Sequence, residues 1–172
     1  TIVLYENKMI CEEGFDCAGV CDGSLVEDEC GVCGGDGLEE NFVCDGTFTP
    51  ETKAALQMAV DLWFSNNESA LSTYGEINDW DVALITDMSF LFSGKTTFND
   101  DIGNWDVSNV MNMDQMFFDA TSFNSDISSW NVSNVNNMRR MFKQASNFNQ
   151  DLSNWDVSNV TDMLNTFTRA YN

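Results

Sequence analysis

Six cysteines, Cys11, Cys17, Cys21, Cys30, Cys33 and Cys44, crowd into the first 44 residues of this 172-residue chain, and none follows. Two chemistries are open to such a set. An even number of thiols in a short Gly- and Asp-rich stretch reads as a disulfide framework formed outside the reducing cytosol. The rival is a four-thiolate zinc site from Cys17-x-x-x-Cys21 and Cys30-x-x-Cys33. Disulfides are the expectation; six cysteines allow about 15 pairings and the spacing does not choose among them. Asp22, Asp28 and Asp36 lie among the same Gly-rich turns, and their oxygens make them candidate calcium ligands, although no 12-residue EF-hand loop is present. No other cofactor is expected.

The remaining acids form a row. Asp81, Asp106, Asn131 and Asp156 recur every 25 residues, each between a Trp and a Val. On strands stacked about 4.8 Å apart, two such charges repel by roughly 1 kcal/mol in water. A cation or a sugar hydroxyl would relieve the row, so it is a candidate ligand or cation face; solubility and protection of a strand edge explain it equally. Three Asn-x-Ser/Thr sequons, Asn67, Asn131 and Asn159, are candidate N-glycosylation sites. Of these, Asn67 at a helix end is expected to be the best exposed.

No enzyme is expected. The chain has no histidine, which removes Ser-His and Cys-His nucleophile systems. There is no phosphate-binding Gly loop, and acids that repeat with the architecture do not mark a single carboxylate pair. The net charge of −21, from 28 acidic and 7 basic residues, argues against nucleic acid and against an anionic membrane, both of which need clustered Lys and Arg. No apolar run reaches the ~18 residues of a membrane span. The opening Thr1-Ile-Val-Leu-Tyr reads as a processed or trimmed start, not as a signal peptide.

What positions these residues is a repeat. Trp80, Trp105, Trp130 and Trp155 are 25 residues apart. Around them recur WDVALITDMSFLF, WDVSNVMNMDQMF, WNVSNVNNMRRMF and WDVSNVTDMLNTF, joined by FNDDIGNW, FNSDISSW and FNQDLSNW. A fixed period of this size is the mark of stacked units, each too small to bury its own apolar face. Ile102, Trp105 and Val107 have short-strand spacing; Val110, Met113, Met116, Phe117 and Ala120 step by three and four, as on one stripe of a helix. The fold expected is therefore an α/β solenoid, a leucine-rich-repeat-like coil stack with a short strand and short helix per repeat. Its columns would be Trp80/105/130/155, Met88/113/138/163 and Phe92/117/142/167. Asn99, Asn124 and Asn149 are expected to bond turn backbone between coils.

Three segments follow: 1–46, cysteine-rich and disulfide-stapled; 47–73, a capping helix begun by Thr49-Pro50-Glu51; and 74–172, the repeats. The last coil has no such cap, so it presents an edge. Either the native chain continues or another molecule covers it.

The repeated sentence resembles that of the BspA-like leucine-rich-repeat surface proteins over about Thr47 to Asn172, and DECGVCGGDG resembles the cysteine-rich segments of secreted proteins. The first copy departs at Ala83-Leu84 and the last at Thr166. The resemblance implies an extracellular or cell-surface structural module without catalytic residues. Its partners would be further copies, joined head to tail into a filament or surface layer, or other extracellular proteins or glycans. The alternative is an adhesin or receptor module that binds a glycan or protein on its strand face.

Overall fold

The computed structural model describes residues 2–5, 8–11 and 46–170 of the chain. They fall in two compact units, Thr1–Gly46 and Thr47–Asn172. In the first, β1 (Ile2–Tyr5) and β2 (Lys8–Cys11) pair antiparallel with Ile2 opposite Cys11. Cys11 thus has its backbone in β2; Cys17, Cys21, Cys30, Cys33 and Cys44, with Asp22, Asp28 and Asp36, lie outside the described residues.

The second unit opens with two helices where the sequence suggests one. α1 spans Lys53–Ser65 and is capped by Thr52, whose hydroxyl accepts from Ala55 N–H at 3.2 Å. Its buried face is Leu56, Ala59, Val60 and Trp63. Asn66 interrupts it: its own N–H still reaches Leu62 O (2.8 Å), while its side chain accepts from Ser69 N–H (3.2 Å) and starts α2, Asn67–Tyr74. A residue that caps in both directions breaks a helix without leaving donors unmet. A 3₁₀ turn, Ile77–Asp79, leads into the repeats.

The expected α/β solenoid is not what the repeats build. From 80 to 170 there is no helix and no strand; successive repeats meet in single parallel bridges, Asp87–Asn112, Asn112–Asn137 and Asn137–Asp162. Each repeat is a coil made of turns. The reason lies in where its amides go. Met113, Gln115, Phe117 and Asp119 donate N–H bonds to Asn137, Arg139, Met141 and Lys143 of the next coil, all at 2.9 Å. The intervening Met116, Phe118 and Ala120 bond back three residues, at 3.1–3.2 Å. A helix needs every one of these donors for itself, and half are given away. The spacing of Val110, Met113, Met116, Phe117 and Ala120 comes from consecutive three-residue turns, a period close enough to 3.6 to imitate a helix. The Ile102–Val107 stretch is likewise a turn, with Trp105 N–H on Ile102 O at 3.2 Å.

Turning this tightly requires left-handed backbone at two places per coil: Phe90 and Gly94, Gln115 and Asp119, Arg140 and Gln144, Asn165 and Arg169. Only Gly94 is free of the roughly 1–2 kcal/mol that a Cβ costs there. Gln144→Gly is therefore expected to raise stability by about 0.5–1 kcal/mol, after the extra unfolded-state entropy of glycine is subtracted. Gly94→Ala should lower it by a similar amount, although an added Cβ meets nothing within 4 Å. Urea denaturation of both variants checks this.

Like residues do stack on like. Phe92, Phe117 and Phe142 lie parallel at 5.4–5.5 Å, continuing to Phe167. A second column, Phe98, Phe123 and Phe148 at 5.7 Å, runs beside it, its rings about 4 Å from the first. Met88, Met113 and Met138 are buried, as are Trp80, Trp105 and Trp130. From the second coil on, each indole also reaches back one coil: Trp105 Nε1 donates to Ile77 O (2.7 Å), Trp130 to Ile102 O and Trp155 to Ile127 O (both 3.1 Å).

Candidate functional site

The two ends of the stack are unlike. At the first coil, α1 covers the edge: Gln57 Nε2 donates to Leu91 O (3.3 Å), Lys53 bonds Asp87 (3.1 Å) and Ser89, and Asp61 pairs with Lys95 (2.7 Å). Trp63 packs edge-on to Trp80 and hydrogen-bonds Asp100. This helix occupies the carbonyl side that a preceding coil would otherwise use.

At the last coil nothing in the described residues does this. Met163, Asn165, Phe167 and Arg169 hold the positions whose N–H groups, in every earlier coil, donate to the coil below, and here those four donors have no partner among the described residues. Phe167 is 47% exposed and Met163 44%, where Phe142 and Met138 one coil earlier are 0% and 1%. Val157 and Leu164 are exposed too. Val157, Met163 and Phe167, with Leu152, Trp155 and Thr166, frame an apolar hollow of about 190 Å³. This face has the chemistry of a buried interface: apolar rungs and aligned donors that want acceptors.

The charged row reads differently from its sequence. Asp81, Asp106, Asn131 and Asp156 are exposed, but each Oδ1 accepts the N–H two residues on, at 3.0, 2.9, 3.2 and 3.0 Å. They are Asx turns, in which the side chain caps its own backbone. Among the described residues no three acids or thiols gather as a metal would need.

These turns leave a pH signature. Hydrogen bonds from Ser108 and Ser158 hold Asp106 and Asp156 below the ordinary carboxylate range, and the backbone N–H groups of Ser128 and Ser153 do the same first for Asp126 and Asp151. At Asp87 burial works against the charge, yet bonds from Ser89 and Lys53 outweigh it. A carboxylate with a lowered folded pKa adds stability above its unfolded value, near 3.8, and that contribution is lost as pH falls through the folded pKa. Replacing Asp106, Asp126, Asp151 and Asp156 with Asn keeps the acceptor, as Asn131 already shows, and removes the titration. The expected result is a melting temperature that falls less steeply below pH 4 than that of the parent, checked by thermal melts from pH 7 to pH 2.

Of the sequons, Asn67 is exposed at the start of α2. Asn131 spends Oδ1 on Ser133 N–H and Oγ–H. Asn159 uses the nitrogen a glycan would take, donating Nδ2 to Ser133 O at 2.8 Å. It is the last rung of a ladder unforeseen from the sequence, with Asn109 on Ala83 O (2.9 Å) and Asn134 on Ser108 O (2.7 Å). Asn124 and Asn149 N–H do bond the side chains of Asn99 and Asn124, at 2.6 and 2.8 Å.

A family model described as "Mycoplasma protein of unknown function, DUF285" matches residues 59–172, more than half of the chain. The chain belongs to DUF285. The match takes in most of α1, all of α2 and every coil. No curated protein and no solved structure matches it. No helix among the described residues is long and apolar enough to cross a membrane.

Proposed function

We propose that this DUF285 chain is a non-enzymatic structural repeat module of the cell surface or extracellular space. The observation that carries this is the stack itself, in which successive coils share alternate N–H bonds and continue two columns of phenylalanine rings. The cysteine-rich start supports an oxidising compartment, and the BspA-like repeat sentence supports surface display. The side face offers a ligand less, since its polar row is engaged in capping turns.

Surface labelling of intact cells, with negative-stain imaging of the native material, tests the reading. Labelled chains in a layer or filament are expected. A chain shielded inside the cell, monodisperse and without partner, would overturn it.

A further inference from the structure

Charge in the repeat unit is sorted between two walls. In each coil a turn strip (87–95, 112–120, 137–145 or 162–170) lies on one side of the core and a return stretch (96–105, 121–130 or 146–155) on the other. Phe117 of a strip meets Phe123 and Trp130 of a return stretch across that core, at 3.9 and 6.3 Å. The basic side chains of residues 47–172 are Lys53, Lys95, Arg139, Arg140, Lys143 and Arg169, all on α1 or a strip. The return stretches carry Asp100, Asp101, Asp126 and Asp151 and no base. The ion pairs among the described residues, Lys53–Asp87, Lys95–Asp61 and Arg139–Asp162, leave those acids untouched.

Two clusters are poorly neutralised, and both sit on coils that have a coil above and below. The strip 137–145 holds Arg139, Arg140 and Lys143 and no acid. Arg139 reaches Asp162 only at 3.8 Å, Lys143 rests over the Phe118 ring at 5.7 Å, and Arg140 Nε is buried with no hydrogen-bond partner. On the other wall Asp126 and Asp151 are exposed. They continue a column begun by Asp101, and the rings three residues earlier, Phe98, Phe123 and Phe148, step by 5.7 Å per coil. Their Oδ1 atoms accept Ser128 and Ser153 N–H, both at 2.9 Å, which occupies a lone pair and leaves the charge.

Each wall carries what the other lacks. We infer that copies of this chain associate side by side, the cationic strip of one against the acid column of the next. Strip on strip would set Arg against Arg, and column on column Asp against Asp, arrangements that like charges oppose. The contact is heterologous, so it leaves a free strip and a free column and propagates sideways. The net charge of −21 opposes it at long range. At about 0.15 M salt, however, fields reach only ~8 Å and the facing groups decide. This rests on the structural role proposed above and names a partner.

Two full-length variants test it. Arg140→Gln with Lys143→Gln empties the strip; Asp126→Asn with Asp151→Asn empties the column and keeps both turn acceptors. Near-ultraviolet circular dichroism separates a lost contact from a lost fold, and should one variant misfold, the other and the parent still decide. Sedimentation is expected to show the parent associating at about 0.15 M salt and dissociating at about 1 M, where fields shrink to ~3 Å. Each variant alone should associate at least about tenfold more weakly, the scale of several facing charges lost together. The two mixed should form a one-to-one pair. Undiminished association of either folded variant overturns the inference, as does association that salt does not weaken or a parent that stays monomeric. A monomeric parent that binds polyglutamate through Arg140 and Lys143 also overturns it, and assigns the strip to a foreign anion. In each of these cases a chain still labelled on intact cells keeps the surface role.

Discussion

Phe117→Ala is expected to cost about 3–5 kcal/mol, the range for deleting a fully enclosed aromatic ring. Its ring lies parallel to Phe92 above at 5.4 Å and to Phe142 below at 5.5 Å, and beside Phe123 at 3.9 Å. Removing it interrupts its own column and takes away the side neighbour of Phe123 in the second, and the rigid 25-residue register leaves neighbours little room to collapse into the hole. Phe167→Ala, at the open end and with a single ring neighbour in its own column, should cost well under half as much. Chemical denaturation of the two variants checks the ratio. Equal losses would mean that the columns do not carry the stability of the repeats.

Trp130 separates packing from hydrogen bonding. Trp130→Ala removes a buried indole and should cost about 3–5 kcal/mol. Trp130→Phe keeps most of the apolar bulk but takes away the donor that reaches Ile102 O at 3.1 Å. That carbonyl keeps Trp105 N–H, so the loss is expected at the lower end of about 1–3 kcal/mol. Because Ile102 belongs to the previous coil, the Phe variant also loosens one coil from the next. Amide exchange of Ile102 to Asn109 should quicken more than that of α1, and uniform exchange across the unit would contradict the assignment.

The sequence made the period and the columns legible because both depend on residue type at fixed spacing. Phe117 lies between Phe92 and Phe142, Trp105 stacks on Trp80, and Met113 is buried as Met88 and Met138 are. It misled on secondary structure because three-residue turns place Val110, Met113, Met116 and Ala120 inward much as a helix would. The destination of alternate amides, which decides between the two, leaves no mark on side-chain identity. The left-handed pairs were hidden for a related reason: only Gly94 advertises one, while Gln115, Asp119, Arg140 and Gln144 adopt the same backbone unannounced. The asparagine row was visible and half understood. Asn99 and Asn124 act as expected, but Asn109, Asn134 and Asn159 form a second set of rungs between coils that their spacing alone does not announce. The acids at Asp81, Asp106 and Asp156 are legible as a row, but their neighbours in the chain give no hint that a backbone N–H two residues on bonds each Oδ1.

Alternate amides in each coil belong to the coil below, so no coil is self-sufficient and each depends on the next for half of its turn-strip bonds. Under tension such a stack yields coil by coil, since each coil that peels away leaves the same kind of edge on its neighbour. It would lengthen in equal increments of roughly 80–90 Å, the reach of 25 extended residues. A helical hook at the far end, held by Lys53 and Gln57, would be the last to let go.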